Sequence, residues 1–320
     1  MRLWSIPTLF ALAAVTGALL PAQRPPARSE PVLNQGLSAE ADAPANPARN
    51  ESTAEPLAAP PTTSANGQIR ADLEVLTNVL EQYRKSGNRM GEAGTLCALA
   101  NSYDAMNQQQ KAIEHLQLAL VIFREKGTRQ DEARTLSRIG DVYRVWGFPD
   151  QAAHFYRDSL VVFSKTDDSQ GRAVAFNNLG VAYLALGNKK KSIEYLDQAL
   201  SFYRARNDHR AVALTLNNLG MVSSSLANDP QKALSYFLRA MTELQLTDDR
   251  DSEGTVLDNI GAVCVKLGQR DMAELSFDRA MELFRRTGDT QGEVRVRRHL
   301  RKLAESGTLA SSTQSALAAP

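Results

Sequence analysis

The sequence predicts an all-α solenoid, a right-handed superhelix of antiparallel helix pairs, and three observations carry that reading. Glycine recurs at Gly140, Gly180 and Gly220 with a period of 40 residues, and Gly261 follows one residue late. Aromatic residues keep the same period at Tyr103, Tyr143 and Tyr183, and again at Tyr83, Phe123, Phe163 and Tyr203. Within each period the apolar spacing is helical: Phe176, Leu179, Gly180 and Tyr183 fall at i, i+3, i+4 and i+7. A unit of two helices cannot bury its apolar face alone, so tandem copies stack. Five full units with a half-unit at each end account for residues 69–308.

Before the array the chain has a different composition. Met1-Arg2 is a short positive start, and Leu3 to Leu20 is an apolar run closed by Pro21-Ala22. That is the layout of a secretory signal peptide over residues 1–22. The run also approaches the roughly 20 residues that span a bilayer, so an uncleaved anchor is the competing reading. Either way the rest of the chain is expected outside the cytoplasm, periplasmic or secreted. Residues 23–68 are rich in Pro, Ala, Ser and Thr and nearly free of large apolar residues. Such a segment cannot offset its ordering entropy, and a disordered spacer is expected.

The array opens with a lone second helix over 71–87, whose Tyr83 and Gly87 are in register with Phe123 and Gly127. In the third unit the first helix carries Leu179, Gly180 and Tyr183. Leu186-Gly187-Asn188 punctuates the chain, and the second helix follows with Ile193, Leu196, Ala199, Leu200 and Tyr203. Small residues recur in the second helix at Ala119, Ser159, Ala199, Ala240 and Ala280, where two helices pass at close range. The one residue by which the period slips is expected in the turn at Ala227-Asn228-Asp229-Pro230. A helix absorbing it would rotate its buried face by about 100°. Residues 291–306 match a first helix only, with Arg301 where the packing glycine belongs, so the stack ends there. Residues 309–320 are expected to be an unstructured tail.

These positions resemble those of the tetratricopeptide repeat. Leu179-Gly180, Tyr183, Ser192, Leu196 and Ala199 in the third unit occupy that family's slots, as do Ile260-Gly261, Cys264, Ala273, Phe277 and Ala280 in the fifth. The period of 40 is similar to that of a longer subclass found in kinesin light chains, Leu-Gly-Asn-repeat adaptors and bacterial signalling proteins. The resemblance implies a protein-interaction solenoid that holds a peptide or protein partner along its concave groove.

Charge and motifs exclude other classes. Lys and Arg number 37 against 36 Asp and Glu, so no global excess draws the chain onto nucleic acid, and a membrane is expected only through the N-terminal segment if it stays uncleaved. The four histidines lie in different units without helical pairing. No His-Glu-x-x-His, Cys-x-x-Cys, Gly-x-Ser-x-Gly or phosphate-cradling glycine loop occurs. No catalysis, metal or cofactor is expected. Cys97 and Cys264 are expected as separate buried thiols.

The candidate site is the face of each first helix opposite the Leu/Gly/Tyr stripe, which in the resembling family lines the groove. It comprises Val174, Asn177, Asn178, Val181 and Leu184 in the third unit, Leu214, Asn217, Asn218, Met221 and Ser224 in the fourth, and Thr255, Asp258, Asn259, Ala262 and Val265 in the fifth. Asn178, Asn218 and Asn259 recur mid-helix although asparagine is a middling helix former. Their amides suit a peptide backbone, and they equally suit bonds between repeats. Both readings stand. Ala98 and Arg138 replace the asparagine in the first two units. Arg134, Arg138 and Arg144 form one basic group, and Arg295, Arg298, His299 and Lys302 form another on the final half-unit. The second is either a solvated cap or an anchor for an acidic group. The leading functional expectation is an exported, non-catalytic adaptor. A structural subunit of an envelope or secretion assembly, or a regulatory module for a separately encoded enzyme, are the alternatives.

Overall fold

A computed structural model describes the backbone of residues 63–317 and the side chains of residues 67–305. The expected leader over 1–22 and the spacer up to residue 62 lie outside these residues. Among the described residues there are twelve helices and no strand. The half-unit α1 (Thr63–Ser86) precedes five pairs: α2 (Arg89–Ala105) with α3 (Gln109–Lys126), α4 (Arg129–Val145) with α5 (Pro149–Phe163), α6 (Ser169–Ala185) with α7 (Lys189–Ala205), α8 (His209–Ser225) with α9 (Pro230–Leu244), and α10 (Arg250–Lys266) with α11 (Arg270–Thr287). The half-unit α12 (Thr290–Leu317) closes the array.

Both ends run further than the sequence pattern implies. α1 starts two residues after Pro61, inside the expected spacer, and α12 continues through most of the expected tail. Once a helix is nucleated by packing, each added residue costs little until a proline intervenes. No proline occurs between Pro61 and Pro149, or between Pro230 and Pro320, so the packing pattern ends before the helices do.

Four of the five pairs close on a glycine, and the first closes on buried Ala100. A Cβ added to Gly140, Gly180, Gly220 or Gly261 would stand 2.6, 2.5, 2.4 or 2.5 Å from the side chain of Tyr156, Leu196, Phe237 or Phe277 respectively. The facing small residues of the second helices are fully buried: Ala119, Ser159, Ala199, Ala240 and Ala280 are each 0% exposed. A second set of close approaches joins consecutive units. Gly91, Gly171 and Gly292 at the starts of first helices lie against Tyr83, Phe163 and Phe284 of the preceding second helices. The extra residue sits in the turn between α8 and α9, where Asn228 takes the left-handed conformation at φ 49°.

Short connections make consecutive helices antiparallel, so all turns from a first to a second helix lie along one edge of the array. First helices of successive units, α4 with α6, α6 with α8, α8 with α10 and α10 with α12, also touch one another directly. Second helices contact their neighbours only through first helices to that extent. The first helices are thereby drawn together on the inner side. The buried core is not continuous. One cluster runs from Leu80 to Val142, another from Leu196 to Leu303 with Ala173, and two small ones lie between.

Candidate functional site

The inner face is built from the side chains of α2, α4, α6, α8, α10 and α12 that the packing stripe leaves over. Asn177, Asn178, Val181 and Leu184 on α6 are half-buried there. On α8, Asn217 is 6% exposed, Asn218 is half-buried and Met221 is 40% exposed. Asp258 on α10 is 1% exposed, and Asn259 beside it is half-buried. Val174, Leu214 and Val265 are exposed on the same face. The structure brings the expected residues of units three to five together as one strip of amides and apolar side chains.

Hydrogen bonds link these helices with a single polarity. Asn178 donates its amide N–H to Asp141 Oδ1 on α4 at 3.3 Å. Asn218 donates to Asn177 Oδ1 at 3.2 Å, and Asn259 to Asn217 Oδ1 at 2.8 Å. Arg138 takes the donor role in the second unit, reaching Cys97 O at 3.2 Å and the Asn101 side chain. In the last helix Arg295 Nε reaches Asp258 Oδ2 at 2.7 Å, and His299 Nδ1 lies 2.7 Å from Asp258 Oδ1. In these links from one first helix to the next, every donor with an assigned hydrogen belongs to the later repeat and every acceptor to the earlier one, whereas Arg134, which donates to Asp168 in the turn before α6, runs the other way. Asn178, Asn218 and Asn259 therefore spend one N–H on the neighbouring repeat, while their Oδ1 atoms meet no partner among the described residues. A single amide has the capacity for both roles: N–H to the preceding helix, carbonyl to the groove.

The charged residues separate into two kinds. Arg295 and His299 are spent on buried Asp258, and Arg134 is paired with Asp168 at 3.1 Å. Arg298 and Lys302 are exposed and have no ion-pair partner among the described residues. The basic cap expected from the sequence is thus half glue and half free surface.

One cluster was not legible beforehand. The Tyr156 hydroxyl on α5 donates to Asp141 Oδ1 at 2.7 Å, so Asp141 accepts from both its own unit and the next. Burial pushes the Asp141 carboxyl up, against the Tyr156 hydrogen bond and the nearby Arg144 and Arg138. Asp104 on α2 is likewise pushed up by burial, with Arg144 opposing, and its Oδ1 is buried without a partner. Asp141 holds the groove slot filled by Val181 and Met221 in the next units, and that break in the pattern was the available signal. Cys97 and Cys264 are free and buried, and burial raises both thiols, which leaves little thiolate. No helix among the described residues is long and apolar enough to cross a membrane.

Comparison with known proteins finds the same repeat in part of the chain. Residues 131–205 and 211–286 match the tetratricopeptide repeat model. A search of curated proteins finds no match. Among solved structures, the chain is similar to BtubC (BKLC) from P. vanneervenii, with a TM-score of 0.61 and 22% identity over 69% of this chain and 92% of that one. It is also similar to aspartyl phosphate phosphatase F from Bacillus subtilis, with a TM-score of 0.58 and 16% identity over 73% of this chain and 65% of that one. NprR in complex with its cognate peptide NprX gives a TM-score of 0.55 and 16% identity over 80% of this chain and 73% of that one. At these identities the likeness is one of fold.

Proposed function

The chain is a tetratricopeptide-repeat solenoid, and we propose that it is a non-catalytic adaptor that binds an extended peptide or protein segment along its inner face. The observation that carries this reading is the strip across α6, α8 and α10. It presents the unpartnered carbonyls of Asn178, Asn218 and Asn259 beside exposed Val174, Leu214, Met221 and Val265. Each of these donor-accepting amides is held in place by its bond to the preceding helix, so a ligand meets acceptors that are already oriented. Apolar side chains on either side provide burial, and an extended backbone supplies the N–H groups. A peptide-bound neighbour, NprR with NprX, shares the fold and supports this choice of ligand class.

We further place the adaptor outside the cytoplasm, on the strength of the leader-like segment over 1–22. The reading is tested by introducing a photo-crosslinking residue at Met221 on the inner face or at Val161 on the second helix α5, in the native host. Adducts to a partner at Met221 and none at Val161 are expected. The reverse pattern would mean that the outer face, as in a structural subunit, is the working surface.

A further inference from the structure

The two long edges of the array are chemically different. Ion pairs that bridge helices among the described residues lie on the inner face or on the edge that carries the turns from second to first helices. Arg84–Glu92, Arg124–Glu132, Arg210–Asp249 and Arg285–Glu293 are of the latter kind. The opposite edge has no such pairs. There Lys189, Lys190 and Lys191 open α7, all exposed, and none has a carboxylate partner among the described residues. The Lys191 ammonium sits over the Tyr183 ring at 4.9 Å, which leaves Lys189 and Lys190 directed to solvent. Cations at a helix start oppose the helix dipole, so this placement gives up local stability.

The neighbouring turn on that edge makes a second local sacrifice. Phe148 stands at the N-cap of α5 and provides no capping bond, nor do Gln108 and Gln269 at the starts of α3 and α11, whereas Asn188 and Asp229 cap α7 and α9 at the equivalent positions. In place of a cap the turn displays apolar surface: Val145 is 45% exposed, Trp146 37% and Phe148 38%. The rings form a continuous chain, with Phe155 stacked on Tyr143 at 5.4 Å, Tyr143 on Trp146 at 6.3 Å, and Trp146 edge-on to Phe148 at 5.1 Å.

We propose that this edge docks on an anionic lipid bilayer, with the Trp146–Phe148 corner entering the headgroup layer and Lys189 and Lys190 facing the lipid phosphates. An indole with an apolar body and one N–H suits the boundary between headgroups and acyl chains. Lysines at one helix start, about two helix diameters along the same edge, meet the negative surface without having to break an existing ion pair. The proposal is independent of the peptide groove, which lies on the inner face, and it gives the folded array a membrane contact of its own.

Trp4 and Trp146 are the two tryptophans of the chain, so full-length protein carrying Trp4→Phe reports from Trp146 alone. Its emission is followed with vesicles of phosphatidylcholine mixed with phosphatidylglycerol, and with vesicles of phosphatidylcholine alone. A blue shift and quenching by brominated acyl chains are expected with the mixed vesicles only. Adding Lys189→Gln and Lys190→Gln should weaken the vesicle-dependent shift about 25-fold, at about fivefold per lysine. These exposed substitutions also remove cations from a helix start and leave the fold intact, which circular dichroism checks. Emission that moves equally with both vesicles, or with neither, overturns the proposal. So does a shift that the lysine variant leaves unchanged. Flotation through the Leu3–Leu20 run does not mimic the signal, because it leaves Trp146 in water.

Discussion

Asn259 donates its side-chain amide to the Oδ1 of Asn217 across 2.8 Å, joining the fifth unit to the fourth at a point where Asn217 is 6% exposed. The pair makes the inner face part of the stacking interface as well as a surface for ligands. A double-mutant cycle of Asn217→Ala and Asn259→Ala should therefore show coupling of about 0.5–1.5 kcal/mol in the stability of the array. Additive losses in chemical denaturation would mean the two residues are independent.

The triple variant Asn178→Ala, Asn218→Ala and Asn259→Ala loses three bonds between repeats and three groove-facing carbonyls together. Alanine is the better helix former, which offsets part of the loss. Modest destabilisation with partner capture abolished is the expected outcome, measured as melting and crosslinking yield on the same preparation. Capture retained at full strength would confine the asparagines to repeat stacking.

Gly180→Leu should be severely destabilising. The first added atom alone would lie 2.5 Å from Leu196 Cγ, and Leu196 is fully buried with no room to retreat. Overpacking of this kind costs about 1–3 kcal/mol, and more where backbone has to move. Thermal unfolding followed by circular dichroism reads the effect directly. Arg301 stands in the same register of α12 and is exposed. Arg301→Leu should change stability little.

Asp258→Asn removes the charge that holds Arg295 and His299 at the last interface. About 1–3 kcal/mol of stability should be lost. Hydrogen exchange should localise the loss to α12, because terminal units contact only one neighbour. Uniform loss of protection across the array would contradict that picture.

Alkaline pH should unfold the array through its buried tyrosines. Burial, with Asp208 adding, pushes the Tyr203 hydroxyl up to about 12, and burial likewise raises Tyr156 beside Asp141. A folded value above the unfolded one, about 10, means their contribution is intact below pH 10 and is lost as the pH rises toward 12. Tyr203→Phe should blunt the decline in melting temperature across that window.

Much of this architecture was legible in the sequence because it repeats. The glycine and aromatic slots, the helix-pair unit and the turn that absorbs the extra residue all keep a fixed register. The links across the inner face were less legible, because donor and acceptor occupy different slots and change chemistry from unit to unit. Asn178 meets a carboxylate, Asn218 an amide and Arg138 a backbone carbonyl. A reading that aligns like with like passes over them. The same holds for Asp258: its slot is filled by Asn177 and Asn217 in earlier units, and only the facing Arg295 and His299 reveal why a carboxylate is needed there. The aromatic corner was less legible because the Trp146 slot is apolar in every unit, as Met106, Leu186, Leu226 and Leu267, so only Phe148 departs from the polar residues Gln108, Asn188, Asp229 and Gln269 at its slot.

The one-way direction of the inner hydrogen bonds also bears on how long such an array is able to become. Units three and four carry an acceptor and a donor in adjacent positions, Asn177 with Asn178 and Asn217 with Asn218. Each matches a copy of itself, so duplication of either unit would create a junction with its bonds already satisfied. The outermost units lack this property. Ala98 offers no donor at the front, and Arg298 replaces the acceptor at the back. Growth by gene duplication is thereby open in the middle of the array and closed at both of its ends.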